Sequence, residues 1–310
     1  MKGIIKSNLF MAFVLLFTFF NIAFAAWDII GLIGYDNYKV FAQYIIFLIP
    51  VIIYLIITRE SPKKVFSINK ISFVDIMLSI VIAFLAHPVA GFFSQLTGLF
   101  FENPVEQALE VLQSTPFPML LFMMAITPSI CEEAVTRGIF LHGYKKTNML
   151  VACLANGVVF SMLHLDLQQS LYTFVLGVIF AFMVRVTNSI WSSVLCHFTF
   201  NSISLGAQQL LKMLPKEEVE AALEASAQTG NEMTALFSSF IIAIPFAIAI
   251  VVILTVMYKR NKKRGKLEVQ VGEIDHSSSE VAVKDNKVGA YSSFAVILIV
   301  YTVIIVKIMA

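Results

Sequence analysis

Residues 116–137 read PFPMLLFMMAITPSICEEAVTR, and this stretch decides the fold. Residues 116–131 carry no charge, and two adjacent carboxylates then follow at Glu132 and Glu133. A helix needs roughly 20 apolar residues to cross a bilayer core, and this run is close to that length. Similar runs recur along the chain. They are too long for membrane strands and do not alternate, so helices are expected.

The predicted spans are 8–26, 40–58, 73–99, 116–135, 148–165, 170–186, 189–207, 234–257 and 291–308. We therefore predict an all-α fold, a polytopic integral membrane helical bundle with about eight or nine transmembrane helices. No internal repeat is visible between the spans.

The composition agrees with a membrane protein. Hydrophobic residues make up 58% of the chain and charged residues 14%, whereas soluble domains carry about 25% charged residues. These values exclude a soluble enzyme, a disordered chain and a nucleic-acid binder. Three cysteines without paired spacing exclude a disulfide framework and a Cys-based zinc finger. The lipid bilayer is the first expected partner, and no nucleic acid is expected.

The first span has two interpretations. Lys2 and Lys6 precede an apolar run that ends in Ala23-Phe24-Ala25, which has the form of a signal peptide. The run is long for a signal peptide and contains Asn21, so we favour a retained span.

Basic residues near the span ends predict the orientation. If the spans alternate, all of the following fall on one side: Lys2, Lys6, Arg59, Lys63, Lys64, Lys70, Lys145, Lys146, Arg185, Lys259, Arg260, Lys262, Lys263, Arg264 and Lys266. The N-terminus is therefore expected in the cytoplasm, and the chain is expected in a bacterial plasma membrane. The acidic segments 100–115 and 208–233 fall on the opposite side, either as short surface helices or as solvated connectors.

Ionisable residues inside a span are costly and are therefore functional candidates. Glu133 and Arg137 are four residues apart on one helical face, in the favourable order for an ion pair. Glu132 is rotated by about 100° from Glu133 and is left without that partner. This spacing predicts a structural Glu133–Arg137 pair and a reactive Glu132. Alternatively, both carboxylates lie at the membrane boundary and reach water.

Two later spans also carry polar side chains. His164 lies at the end of the fifth predicted span, where a boundary residue is the simpler interpretation. His197 and Asn201 lie four residues apart on one face of the seventh span, and burying both without partners would cost free energy. Together with Glu132, these groups suffice to activate a water molecule and to stabilise an oxyanion.

The three motifs together resemble the CPBP intramembrane protease family, which includes type II CAAX prenyl proteases and Abi-type proteins. The motifs are Glu132-Glu133-x-x-x-Arg137, Phe160-x-x-x-His164 and His197-x-x-x-Asn201. The resemblance covers about residues 115–207. It implies that Glu132 is the general base, that His164 assists it, and that His197 and Asn201 hold the second half of the site, with Asn201 as an oxyanion donor. Glu133 and Arg137 would orient these groups.

The resemblance leaves the metal question open. Glu132, His164 and His197 could bind Zn²⁺, since two histidines and one glutamate form a plausible zinc ligand set. A metal-free glutamate mechanism is equally compatible, and the chain lacks the His-Glu-x-x-His motif of zinc proteases.

The resemblance also suggests how the chain is divided. Residues 1–115 would supply N-terminal transmembrane helices, 116–207 a CAAX-protease-like catalytic core, and 208–258 an outer loop and the eighth helix. A basic cytoplasmic linker at 259–289 would lead to a C-terminal transmembrane helix at 290–310.

The expected function is an intramembrane endopeptidase that cleaves a membrane-associated peptide or protein with a water activated by Glu132 and His164. A non-catalytic scaffold or bacteriocin-immunity-type protein of the same fold is the alternative, and a transporter is a third class. The predicted positions of Glu132 and His164 in their spans do not agree with a shared water molecule. Residue count places Glu132 toward the inner end of its span and His164 toward the outer end of the next.

Overall fold

A computed structural model of the chain describes residues 2–33, 38, 41–102, 115–215, 217, 231–267 and 280–309. Most of the predicted acidic segments 100–115 and 208–233 lies outside the described residues, as does the middle of the predicted linker 259–289.

The described residues form a helical bundle without strands, which confirms the all-α prediction. The main helices are α1 Lys2–Phe24, α2 Phe41–Thr58, α3 Phe73–Gly98, α4 Phe117–Gly143, α5 Met149–Leu163, α6 Ser170–Thr187, α7 Trp191–Met213, α8 Glu232–Lys263 and α9 Glu280–Met309. Each predicted span thus corresponds to one helix.

Seven of these helices are long and apolar enough to cross a membrane. The two others are α5 and α7. Helix α5 has 15 residues, which gives a length of about 22 Å against a hydrocarbon core of about 30 Å. Helix α7 has 23 residues but is interrupted by polar side chains, among them His197 and Asn201. The two helices that fall short of a standard span therefore carry motif residues.

Helix α4 is irregular on both sides of its glutamates. A regular α-helical segment, Thr127–Glu133, lies between the π-helical segments Phe122–Ile126 and Ala134–Phe140. Wide π turns occur mostly as short interruptions of α-helices, frequently at functional sites.

Helix α1 is packed into the shared hydrophobic core. Met11, Val14 and Leu15 are fully buried there. The side chain of Asn8 donates to Ser293 Oγ in α9 at 2.9 Å and accepts from the Tyr144 hydroxyl at 2.8 Å. Helix α1 is therefore part of the shared core of the described bundle.

Helices α5 and α6 cross closely at two glycines. A Cβ atom at Gly177 would lie 2.8 Å from the Cα of Gly157. A Cβ atom at Gly157 would in turn lie 2.8 Å from the carbonyl oxygen of Phe174. Small residues let membrane helices approach to backbone contact. The approach fixes α6 against the end of α5 that carries His164.

The basic end of α8 is attached to the start of α3. Asp75 is 1% exposed and accepts from Arg260 at 2.8 Å and from Asn261 Nδ2 at 3.0 Å. The Ser72 side chain caps α3 by accepting from the backbone N–H of Asp75. Helix α8 therefore continues through Lys263, beyond the predicted end of its span, and α9 begins at Glu280, before the predicted end of the linker.

Candidate active site

A buried ion-pair network connects α4 to α7. Glu133 Oε1 accepts from Arg137 at 2.8 Å, which confirms the predicted pair on one helical face. The same oxygen lies 3.0 Å from His197 Nδ1. Both side chains of the Glu133–Arg137 pair are 0% exposed. Charges in such surroundings are stable only when they are paired and hydrogen-bonded.

The rest of the Arg137 guanidinium is also enclosed. It donates to Thr136 Oγ1 at 2.8 Å and to the Gly177 carbonyl oxygen at 3.2 Å. Its central carbon lies 4.1 Å from the ring centroid of Phe160 and 5.1 Å from that of Phe180. Arg137 thus holds α4, α5 and α6 together through one side chain, and cation–π contacts add to the ion pair.

The contact with Glu133 fixes the orientation of His197. A carboxylate oxygen only accepts, so Nδ1 carries the proton of this hydrogen bond. In the neutral ring, Nε2 then has a lone pair available as an acceptor. Four residues later, Asn201 Nδ2 donates to the carbonyl oxygen of Met124 at 3.0 Å, which leaves its second N–H for another acceptor.

His164 follows directly after the end of α5, and its ring is oriented by its own helix. Its Nδ1 lies 2.9 Å from the Phe160 carbonyl oxygen, and a carbonyl only accepts. Nδ1 is therefore the donor, and Nε2 carries the lone pair when the ring is neutral. The two histidines consequently have the same tautomer.

The backbone turns sharply behind His164. Leu165 has φ 49°, in the left-handed region that is uncommon for a residue with a side chain. Gln168 holds the turn against α3. Its side-chain amide Nε2 donates to Ser94 Oγ at 2.9 Å, and its backbone carbonyl oxygen accepts from Thr97 Oγ1. Strained backbone of this kind persists where surrounding contacts over-determine it.

Phe160 brings the motifs of three helices together. Its ring lies 5.1 Å from that of His164, at an interplanar angle of 83°. It also lies 5.7 Å from the ring of His197, at 89°. The face of Phe160 supports Arg137. The sequence motif contains Phe160, but only the folded structure reveals that this ring is the shared contact.

Glu132 lies outside the ion-pair network, as the helical spacing predicts. It is 9% exposed, and its Oε2 is buried without a hydrogen-bond partner among the described residues. Ser161 Oγ donates to the Ser170 carbonyl oxygen at 2.8 Å, so the start of α6 lies beside the end of α5. Glu132 lies on α4, which Arg137 joins to both of these helices.

The helix bounds reduce the predicted difference in depth between Glu132 and His164. Glu132 lies about 16 Å along the helix axis from Gly143, at 1.5 Å per residue. His164 lies about 22 Å from Met149 on the same basis. Because both lengths are counted from the turn between α4 and α5, the two residues differ by about 6 Å along the helix axes rather than by a full span.

The geometry gives no support to the zinc alternative. Within the described part of the chain, no three His, Cys, Asp or Glu side chains come together in an arrangement that could hold a metal ion. Glu132, His164 and His197 are described residues and do not form such a group.

Two groups near the site were not predicted as functional. The ring of His87 in α3 stacks on Phe200, next to Asn201, with centroids 4.2 Å apart and an interplanar angle of 8°. Asn156 in α5 donates to the Thr136 carbonyl oxygen at 2.7 Å and bonds α5 to the π-helical part of α4. An asparagine within an apolar span is the one sequence signal that could have pointed to Asn156.

Comparisons with known proteins point to the same segment. The family model for type II CAAX prenyl endopeptidase Rce1-like proteins matches residues 114–203, which confirms the resemblance carried by the motifs. The chain is also 28% identical over 164 residues to the Bacillus subtilis protein named "Putative membrane peptidase YdiL". That alignment covers 50% of this chain and 66% of the relative. No solved structure matches the chain.

Proposed function

We propose that the protein is an integral membrane endopeptidase that hydrolyses a peptide bond of a membrane-associated peptide or protein. One observation carries the proposal. Glu132 Oε2 is buried without a hydrogen-bond partner among the described residues, whereas the neighbouring Glu133 is held by Arg137 and His197 through its Oε1. Structural carboxylates are paired when they are buried, so a carboxylate that is not paired is suited to act on a bound water or substrate.

In the proposed mechanism, Glu132 is the general base. It takes a proton from a water molecule whose second contact is His164 Nε2, and the water oxygen attacks the carbonyl carbon of the scissile bond. A tetrahedral oxyanion forms. The carbon–nitrogen bond then breaks, and the proton held by Glu132 passes to the leaving amine. The fixed tautomer of His164 supports this role, because Nε2 is available as an acceptor.

Asn201 and His197 are proposed to face the substrate carbonyl. The second N–H of Asn201 would donate to the oxyanion, in an environment where donors are stronger than they are in water. His197 would contact the substrate through Nε2, with its ring held in place by Glu133. Glu133 and Arg137 are positioning residues, since they reach the substrate only through His197.

We also propose where the chain lies in the cell and which of its residues form the catalytic core. Residues 116–207 would form the catalytic core, in a protein of the bacterial plasma membrane whose N-terminus is cytoplasmic. The family match over 114–203 and the motif contacts within α4, α5 and α7 support this assignment.

Replacement of Glu132 tests the proposal. Purified Glu132→Gln keeps the shape of the side chain but loses the base, and we expect a loss of about 10²- to 10⁴-fold in the rate of cleavage of a fluorogenic membrane peptide. Glu232→Gln, an exposed change in the first turn of α8, is the matched control and should retain the wild-type rate. Equal rates for all three proteins would reject the proposed role of Glu132.

The same sample addresses the metal alternative. Because no three-ligand group is present in the described residues, we expect cleavage to persist after treatment with a zinc chelator. Loss of cleavage that added Zn²⁺ restores, together with stoichiometric zinc in the purified protein, would replace the metal-free mechanism with a metal-dependent one.

A further inference from the structure

A large cavity lies away from the candidate active site. Its volume is about 1400 Å³, and it opens where α1 begins, where α2 ends and where α4 turns into α5. None of Glu132, Glu133, His164, His197 and Asn201 lines it. The cavity lies beside the first half of α5, whereas His164 lies just beyond the other end of that helix.

The mouth of the cavity is basic. Lys2, Arg59, Lys64, Lys145 and Lys146 line it, and they come from three separate segments of the chain. The acidic residue of the lining, Glu60, is already engaged at 3.4 Å by His142 Nε2. The mouth therefore carries a surplus of positive charge, which is complementary to an anionic group.

The deeper wall is apolar and is formed by two helices. Val151, Leu154, Ala155 and Val158 lie on one face of α5 and line the cavity. Their spacing of three and four residues over two turns defines a continuous stripe.

The opposite wall has the same pattern. Tyr291, Phe294, Ala295 and Leu298 form the stripe on α9. In a packed bundle two such stripes would contact each other, yet Leu154 and Leu298 both line the cavity and are each 41% exposed. An apolar gap of this size needs apolar material to fill it.

From this arrangement we infer a binding site for one anionic phospholipid. The phosphate of the headgroup contacts the lysines and arginine of the mouth, and an acyl chain lies between the α5 and α9 stripes. Basic pockets between membrane helices on the positively charged side are suited to anionic headgroups. The site is independent of the proposed peptidase activity, because it shares no residue with the candidate active site.

Native mass spectrometry of the full detergent-purified chain tests the site. We expect one palmitoyl-oleoyl phosphatidylglycerol to bind in preference to palmitoyl-oleoyl phosphatidylcholine. The double variant Lys145→Gln/Lys146→Gln removes two exposed positive charges of the mouth. The loss of each charge should weaken phosphatidylglycerol binding by about fivefold. Leu154→Trp fills the apolar wall and should weaken binding without a change in the charge of the mouth.

The matched control is Lys259→Gln/Lys263→Gln, which removes two exposed charges of α8 that do not line the cavity. It should bind phosphatidylglycerol like the wild type. Inorganic phosphate should not displace the lipid, because phosphate lacks the acyl chain that fills the wall. Thermal unfolding of each variant shows whether it remains folded.

Four results would overturn the inference. Equal binding of the two lipids would show that the basic mouth does not select the headgroup. An equal loss of phosphatidylglycerol binding in Lys259→Gln/Lys263→Gln would show that any surface charge has the same effect. Displacement by phosphate would make the cavity a phosphate site. Unchanged lipid binding with impaired peptide cleavage in Leu154→Trp would assign the cavity to the peptide substrate. The readout is bound mass, so failure of the peptidase proposal would not affect it.

Discussion

At the residue scale, the Glu133–Arg137 pair stabilises the site only while both partners are present. Two charges buried at 0% exposure lose their hydration, and their mutual attraction offsets that cost. Removal of one partner leaves an uncompensated buried charge. The pair is therefore expected to behave very differently in single and double variants.

The expected order of stability follows directly. Arg137→Met should lower the free energy of unfolding by about 3–5 kcal/mol, because it leaves the Glu133 carboxylate charged and buried. The double variant Glu133→Gln/Arg137→Met should lose less, since the amide oxygen of Gln still accepts from His197. Chemical unfolding in detergent micelles measures both changes. A double variant at least as unstable as Arg137→Met would show that the pair is not the source of the effect.

The sequence predicts part of this network. Helical geometry alone places Glu133 and Arg137 on one face, and the contact at 2.8 Å confirms it. The contact of Glu133 with His197 and the position of Phe160 between three motifs could not be predicted. They depend on how α4, α5 and α7 pack, and no local pattern encodes that packing.

At the element scale, the crossing of α5 and α6 positions the candidate active site. The two helices approach at Gly157 and Gly177, and the next turn of α5 carries Phe160. The carbonyl oxygen of Gly177 also accepts from Arg137. A wider crossing would therefore displace a hydrogen bond of the buried network together with the ring that contacts both histidines.

Gly157→Ala tests this dependence. The added methyl group would lie 2.8 Å from the backbone oxygen of Phe174, which cannot rotate away, so we expect a loss of about 1–3 kcal/mol in unfolding free energy and slower peptide cleavage. Gly91→Ala in α3 is the control, because a Cβ atom there meets nothing within 4 Å. Its stability should be unchanged or slightly higher. Equal effects of the two substitutions would contradict close packing as the cause.

Sequence patterns predict the helices well but not their irregularities. Apolar length predicts a helix at every span, yet it does not predict that α5 ends at Leu163 or that π turns lie on both sides of Thr127–Glu133. Such features depend on hydrogen bonds to other elements, such as those from Asn156 to α4 and from Ser161 to α6. The short α5 ends at Leu163, and His164 follows it directly.

At the scale of the whole molecule, basic residues from distant parts of the chain share one end of the bundle. The lining of the cavity brings Lys2, Arg59 and Lys145 together, which agrees with their predicted placement on one side of the membrane. The sequence predicts this side from charge alone, whereas the cavity depends on the packing of α5 and α9 and has no local signal.

Cysteine labelling tests the orientation without interference from the native cysteines. Cys131, Cys153 and Cys196 are all free and buried. We expect a membrane-impermeant maleimide to label Glu102→Cys in intact bacterial cells, and Lys63→Cys only after the membrane is permeabilised, because basic segments remain in the cytoplasm. The reverse pattern would place the N-terminus outside.

The two neighbouring glutamates of α4 also have a consequence for how this gene can change. Successive helical positions point about 100° apart, so the loss of one codon between Thr127 and Glu132 would turn each later side chain by that angle. Glu133 would lose its contact with His197, Arg137 would lose its contacts with α5 and α6, and Glu132 would turn by the same angle. Loops can gain or lose residues freely, whereas the number of residues in this segment of α4 fixes the direction of every later side chain of the helix. Variation in natural descendants should therefore be confined there to substitutions.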